Sequence, residues 1–377
     1  MTPPDPDLAR LRADLEALVA LESPTADAAR VSACIAEAAR RLAEAGAETR
    51  RIPGRDGFGD HLIATVPGEL DGPPILLLSH LDTVHAVGAF GASPVTVAND
   101  RLTGPGSLDM KGGVALALEA VRALAAAPQG ARSVRYLISS DEEVGSPTSR
   151  ALIEQEGAAA AAVLVTEPAR RSGGCVTGRR GVGRYVVRAR GRPAHSGMDH
   201  AAGRSAIRAL AAAVLQIEAM TDYDRDVALN VGVIQGGTGA NTVPEHASAE
   251  VDLRIDDPQA AAEFDARLKA LAGETDGVTL TVEGEINRPA YRKTPAIAAL
   301  HAQAAAIAAD LGFDLPDEHT GGGGDASFVA ETTPVLDGLG VVGDGAHRLD
   351  EWVDLTQLAP RAALLTRLAD RLRRAPG

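Results

Sequence analysis

An α/β fold built on a mostly parallel sheet, with a separate α+β block in the middle of the chain, is the class this sequence predicts. Three observations carry that prediction. Apolar strand-like runs alternate with helix-like segments over the first 166 residues, the order that lays helices over a parallel sheet. Several of those runs pass directly from apolar residues into His, Asp or Glu. The stretch that follows reads β-α-β-β-α-β, the ferredoxin-like order.

The elements follow in turn. Leu8, Leu11, Leu15, Leu18 and Val19 recur at helical spacing, and a second helix is expected over 27–45, stopped by Gly46. Strands are expected at 61–66 and at 75–80, the latter after the turn Asp71-Gly72-Pro73-Pro74. A helix at 115–126, a strand at 134–139, a helix from 149 and a strand at 162–166 complete the first block. The middle block has strands at 183–191, 230–235, 247–254 and 278–283, with helices at 204–221 and 258–270. A helix after Pro295, the run Gly321–Gly324, a short strand at 333–336 and a closing helix at 355–374 finish the chain.

The length of 377 residues suits two domains at roughly 100–200 residues each. With 51 acidic against 37 basic side chains the formal net charge is −14, which argues against a nucleic-acid partner, because phosphate binding rests on Lys and Arg. Aromatic residues make up 3%, too few for a base-stacking platform. Cys34 and Cys175 build no disulfide framework and read as free thiols of a reducing compartment. No run approaches the ~18 apolar residues of a membrane span, and the start lacks a signal-peptide pattern. A soluble, cytoplasmic protein with no membrane partner is expected.

Chemistry concentrates where apolar strands end. Ile75–Leu78 leads into Ser79-His80-Leu81-Asp82. Such a position is the carboxyl edge of a strand, where open α/β sheets build their sites, and a carboxylate there can orient a metal-bound imidazole. A loop His beside a helix-capping Asp is the plainer alternative. Asp109 lies in the Gly-rich loop 104–113 just before a helix, where an Asp serving the helix dipole is the plainer alternative. Asp141-Glu142-Glu143 follows another apolar strand. A solvated charge run explains such a string, but so does one ligand beside one general base. Glu167 ends a fourth apolar run, and His347 stands in a Gly-rich loop. Together, two His and several carboxylates at strand exits fit Zn²⁺ best, with Co²⁺ or Mn²⁺ as chemical alternatives.

These motifs resemble the aminoacylase and glutamate carboxypeptidase family of dizinc hydrolases. The resemblance runs through Ser79-His-Leu-Asp-Thr-Val84, Gly104-Pro-Gly-Ser-Leu-Asp-Met-Lys-Gly-Gly113, Asp141-Glu-Glu-Val-Gly-Ser146 and Thr166-Glu-Pro168. Ala194-His-Ser-Gly197, Asn241-Thr-Val-Pro244, Thr320-Gly-Gly-Gly-Gly-Asp325 and His347 extend it over nearly the whole chain, and the segment 318–354 is most similar to glutamate carboxypeptidase.

The resemblance implies a zinc-peptidase-like catalytic domain with a mixed, mostly parallel sheet, made of residues 1–179 and 291–377. Residues 180–290 would be an inserted α+β ferredoxin-like dimerisation domain. His80 and Glu167 would complete one zinc site, Glu143 and His347 the other, with Asp109 bridging two Zn²⁺ per subunit. Asp82 would orient His80, and Glu142 would be the general base. The Asp109–Met110 peptide would be cis. His195 would stabilise the tetrahedral oxyanion from the partner subunit of a homodimer. Arg254 and Arg288 would grip a substrate carboxylate, with Asn241 and the loop carrying Gly322 and Gly323 adding amide contacts.

One position departs from the pattern. Cys175 stands where the glutamate-specific enzymes carry a substrate-binding lysine, and Arg179 and Arg180 are the nearest cations. The expected activity is hydrolysis of an N-acyl amino acid or short peptide to release its C-terminal amino acid. A dipeptidase, a desuccinylase or deacetylase of the same family, and a non-catalytic binder of amino-acid derivatives are the alternatives.

Overall fold

The structure, a computed structural model, describes residues 4–375. The chain divides into two compact units. One holds the residues up to Thr177, Lys293–His319 and those from Phe328 onward; the other holds Gly178–Arg292 and Thr320–Ser327. The glycine run Gly321–Gly324 thus clusters with the middle of the chain, not with the segments that flank Thr320–Ser327.

The first unit is built on a six-stranded sheet. Its order is Glu48–Ile52, His61–Val66, Val134–Ser139, Ile75–His80, Ala162–Val165 and Val335–Leu336. The last four are mutually parallel, and the first two join antiparallel at one edge. The sheet is therefore mixed and mostly parallel. Its central strands have no polar face, because helices cover both sides: every residue of Ile75–His80 and of Ala162–Val165 is buried, as parallel strands require. Helices Leu8–Ala20 and Ala28–Glu44 begin at Asp7 and Asp27, whose carboxylates accept the orphan N–H groups of Arg10 and Arg30. Leu11, Leu15, Leu18 and Val19 of the first helix are buried in one continuous core with Val114, Leu118 and Leu365.

The helix expected at 115–126 begins earlier, at Gly112, and runs to Ala125. Gly113 permits this. A Cβ there would lie 1.9 Å from the carbonyl oxygen of Thr166, so only glycine lets the helix start against the end of the neighbouring strand. The strand Glu48–Ile52 was not expected. Its sequence, ETRRI, is exposed for four of five residues, so an edge strand carries charges where a buried one would alternate.

The second unit is a five-stranded antiparallel sheet in the order Val227–Gly236, His246–Ile255, Gly181–Arg190, Val278–Arg288 and Gly273–Thr275. Helices Ala206–Glu218 and Pro258–Lys269 bury Leu210, Ile217, Phe264 and Leu268 in its core with Tyr185, Val187, Val251 and Leu253. Among the described residues no helix is long and apolar enough to cross a membrane.

Candidate metal centre and active site

Parallel pairing brings the chemistry together. His80 pairs in register with Ser139, and Leu78 with Val165. The residues just beyond these strands, Asp141–Glu143 and Glu167, consequently leave the sheet beside His80. His80 is 1% exposed. Its Nδ1 donates to the carbonyl oxygen of Asp82 at 3.0 Å, which leaves Nε2 as the free ligating atom. Nε2 lies 3.2 Å from Asp109 Oδ1 and 3.6 Å from Glu167 Oε1. On the other side, His347 Nε2 lies 3.1 Å from Glu143 Oε2 and 3.4 Å from Asp109 Oδ2. The two oxygens of Asp109 therefore each face a different imidazole, and each imidazole has its own Glu.

Among the described residues, two sets each hold their ligand atoms within 4.8 Å of one another: His80, Asp109 and Glu143, and His80, Glu142 and Glu167. Glu142 and Glu143 sit on the short 3₁₀ turn Glu142–Val144, not on the strand. Asp141, the first of the three acids, is consumed elsewhere: it is fully buried and accepts from Thr148 N, Thr148 Oγ1 and Ser149 Oγ.

Asp82 is also fully buried. Its carboxylate accepts from Thr25 Oγ1 at 2.8 Å, Glu142 N at 3.1 Å and Glu143 N at 3.2 Å, with His80 Nδ1 at 3.4 Å. Burial would raise its pKa, but His80, Thr25 and the Glu143 N–H outweigh burial and hold it below the usual carboxylate range. Asp82 thus holds the backbone of the acidic turn as well as the imidazole.

The loop of Asp109 turns sharply. Gly106 has φ +69°, the Asp109–Met110 peptide is cis, and Asp109 and Met110 depart from helical angles. His347 has φ +66°, in a tight turn of its own.

The donor set fits divalent cations. Four carboxylates, those of Asp109, Glu142, Glu143 and Glu167, crowd two imidazoles. Burial and the charge of Asp109 push Glu143 above the ordinary range and Glu167 well above it. Hydrogen bonds to Asp109 and Glu143 raise His347 to about 10. Glu143 Oε1 is buried with no hydrogen-bond partner, an acceptor that a cation would satisfy. The mixed His and carboxylate ligands have the composition of Zn²⁺ sites.

The other residues singled out in the sequence lie in the second unit, except Cys175, which lies in the first. His195 bridges backbone to backbone with Thr242, and Ser196 N donates to Asn241 O at 2.9 Å, so the two loops run side by side. His195 Nδ1 accepts from Gly197 N and Met198 N, both at 3.2 Å, which makes Nε2 the protonated nitrogen. Arg254 forks onto Asp252 and reaches Gly321 O at 3.2 Å. Arg288 is 5% exposed and pairs with Asp325 at 2.6 Å. Arg179 Nη1 donates to the carbonyls of Gly322 and Gly323, and Arg180 pairs with Asp226. Cys175 is buried, and burial pushes its thiol up to about 12.

Sequence reasoning gave Glu351 and His85 no part in the site. Glu351 is fully buried, and its carboxylate accepts from the backbone of the Asp109 loop and from His85. Its partners are more than 240 positions away in the chain, so no local motif announces it.

The sequence matches peptidase family M20/M25/M40 over residues 76–371. It is 30% identical over 370 residues to carboxypeptidase G2 of Pseudomonas sp. (strain RS-16), covering 94% of this chain and 87% of that protein. It is 29% identical over 332 residues to the succinyl-diaminopimelate desuccinylase of Novosphingobium aromaticivorans, covering 83% and 85%. An M20-family metallo-carboxypeptidase from Sulfolobus solfataricus has the same fold, with a TM-score of 0.77, 15% identity and coverage of 97% and 99%. A matched region that contains every candidate ligand, and a relative aligned over nearly the full length, leave one conclusion: the chain belongs to peptidase family M20/M25/M40.

Proposed function

We propose that this protein is a dizinc amidohydrolase that removes the C-terminal amino acid from N-acyl amino acids or short peptides and works as a homodimer. One observation carries the reading: Asp109 turns one oxygen to His80 and the other to His347, with Glu167 and Glu143 beside them. His80 and Glu167 would hold one cation, His347 and Glu143 the other, and Asp109 would bridge them. When bound, two such cations acidify water and polarise the scissile carbonyl.

The protein's own groups do the rest. Glu142, its backbone N–H fixed by Asp82, accepts the proton of the attacking water and delivers it to the departing amine. His195 offers its Nε2–H to the oxyanion of the tetrahedral intermediate. Arg254 and Arg288 bind the substrate carboxylate, supported by Asn241 and the backbone of Gly322 and Gly323. Among the described residues the edge strand Val227–Gly236 pairs with no strand on its outer side, and it exposes Val233 and Ile234. The adjacent helix exposes Ile207 and Leu215. Edges of this kind invite isologous pairing with a second copy.

Cys175 supplies no positive charge for a glutamate side chain, and the desuccinylase relative favours a second substrate class, N-succinyl amino acids. Measuring released amine from N-acyl amino acids, N-succinyl amino acids and dipeptides separates these. The decisive variant is Glu142→Gln. Turnover should fall about 10²–10⁴-fold while the protein still takes up two metal ions per chain. Retained turnover removes Glu142 from the reaction, and loss of metal reassigns it as a ligand.

A further inference from the structure

The loop that carries Asp109 cannot satisfy its own backbone. Asp109 and Met110 are non-helical, and Lys111 N donates to Gly106 O and Gly112 N to Ser107 O. The N–H groups of Gly106, Leu108 and Asp109 therefore need other acceptors, as buried amides must. Glu351 supplies them all. Its Oε1 accepts from Leu108 N at 2.7 Å and Asp109 N at 2.9 Å. Its Oε2 accepts from Gly106 N at 3.2 Å and from His85 Nε2 at 2.7 Å. The His85 ring is buried and stands edge-on against Phe90, with centroids 4.9 Å apart at 90°, so the donor to Glu351 is itself fixed.

Glu351 also closes the loop of His347. Arg348 N donates to Gly345 O at 2.8 Å, and Glu351 N donates to Arg348 O at 3.2 Å. Gly104 N in turn donates to Glu351 O at 3.3 Å. One buried residue, through its carboxylate on one side and its backbone on the other, thereby ties together the two loops whose side chains face each other at 3.4 Å, those of Asp109 and His347.

We propose that Glu351, held by His85, is a positioning residue that sets the orientation of the Asp109 carboxylate between His80 and His347. The inference rests on the reading of Asp109 as the bridging ligand. Gln at position 351 keeps the shape of Glu but replaces one doubly accepting oxygen by an NH₂ group, which must face either the Leu108 and Asp109 amides or the Gly106 amide and His85. Whichever way the amide turns, the loop loses an acceptor: Leu108 N and Asp109 N on one side, or Gly106 N on the other, where the His85 ring can switch tautomer and accept.

The test loads metal-free wild type and variants with Co²⁺ and reads the visible d–d spectrum and the dissociation constants by titration. Glu351→Gln should weaken Co²⁺ binding about 10–100-fold, alter the spectrum, and lower kcat with little change in KM. A Glu351→Gln protein that melts lower but keeps the wild-type spectrum and affinities overturns the proposal, because a purely structural role would do that. If Glu351→Gln does not fold, the pair His85→Ala and His85→Gln decides. Gln offers an N–H near the position of the imidazole Nε2, so His85→Gln should restore the wild-type spectrum and His85→Ala should not. Identical spectra for the two variants overturn the role of the clamp. Wild type that fails to take up two Co²⁺ per chain instead overturns the metal-site reading on which the inference stands.

Discussion

Replacing Asp82 by Asn isolates the link between the imidazole and the acidic turn. The side chain is fully buried, and its two oxygens serve different groups: Oδ1 faces Glu142 N and His80 Nδ1, and Oδ2 faces Thr25 Oγ1 and Glu143 N. The Asn NH₂ will turn toward the Oδ2 side, because the Thr25 hydroxyl has a second acceptor in Thr83 O at 3.4 Å and can reverse its role. That leaves the Glu143 N–H orphaned. A buried unsatisfied donor costs about 1–3 kcal/mol, and replacing charged by neutral acceptors in the surviving bonds costs about 1 kcal/mol more. The sum, about 2–4 kcal/mol, is a substantial part of the ~5–15 kcal/mol that holds a domain folded. Calorimetry of the metal-free protein should show Tm lower by roughly 4–10 °C. The imidazole loses its charged neighbour and Glu143 its anchored backbone, so Zn²⁺ affinity should fall about 10–100-fold. Because Asp82 ionises below the usual range, the stability it contributes is present above the unfolded carboxylate range and is lost as pH falls through its folded value. The Tm difference between wild type and variant should therefore close in acid. A variant with wild-type Tm at neutral pH and a Zn²⁺ affinity within twofold would refute this account of the turn.

Four further outcomes follow from the structure. Metal uptake at pH 7 should release protons, because His347 is raised to about 10 in the metal-free protein and must be neutral to ligate. Titration calorimetry in buffers of different ionisation enthalpy checks this, and heats that do not vary with buffer contradict it. The same raised His347 stabilises the metal-free fold below its unfolded value and loses that contribution as pH climbs toward 10, so metal-free Tm should drop over that interval and loaded Tm should hold. If His195 serves the partner's active site, mixing Glu142→Gln and His195→Ala proteins should restore about one quarter of wild-type activity in a randomly reassorted closed dimer. No recovery assigns His195 to the site of its own subunit. Cys34 and Cys175 are both buried, with the Cys175 thiol pushed to about 12, so a thiol reagent at pH 8 should label neither until the chain is unfolded, when both should react.

Which parts of the molecule were legible in the sequence follows from where each contact is made. The candidate ligands His80, Glu143 and Glu167 were visible because each ends or follows a run that must be buried, whereas Asp109 and His347 stand in Gly-rich loops and were assigned through the family resemblance. Ile75–His80 and Ala162–Val165 have no exposed residue, so a His or Glu at such an exit is either satisfied by a specific partner or a defect. The acidic triplet was harder to read. Strand alternation would point Glu142 and Glu143 to different sides, but both sit on a 3₁₀ turn where that alternation does not apply, and Asp141 is spent on Thr148 and Ser149. The strand Glu48–Ile52 escaped notice because an edge needs no apolar face. Three-residue strands such as Arg101–Thr103 and Trp352–Asp354 are too short to show a period, although they pair with each other and carry the chain past Glu351.

Glu351 marks the deeper limit. Periodicity and motif spacing report what a residue does to its neighbours along the chain, within a turn of helix or a pair of strand positions. Glu351 has no such local signature, since its partners at Gly106, Leu108 and Asp109 are brought to it by the fold. Ligands can be recognised at strand exits because burial there restricts which residues are tolerated. Asp82 aims His80 from two residues along the same motif, but the group that aims Asp109 comes from a distant segment of the chain, and its identity is a property of the folded loops. The candidate donors and the near orienting group Asp82 can therefore be read from sequence, while Glu351, on which the orientation of the Asp109 oxygens depends, cannot.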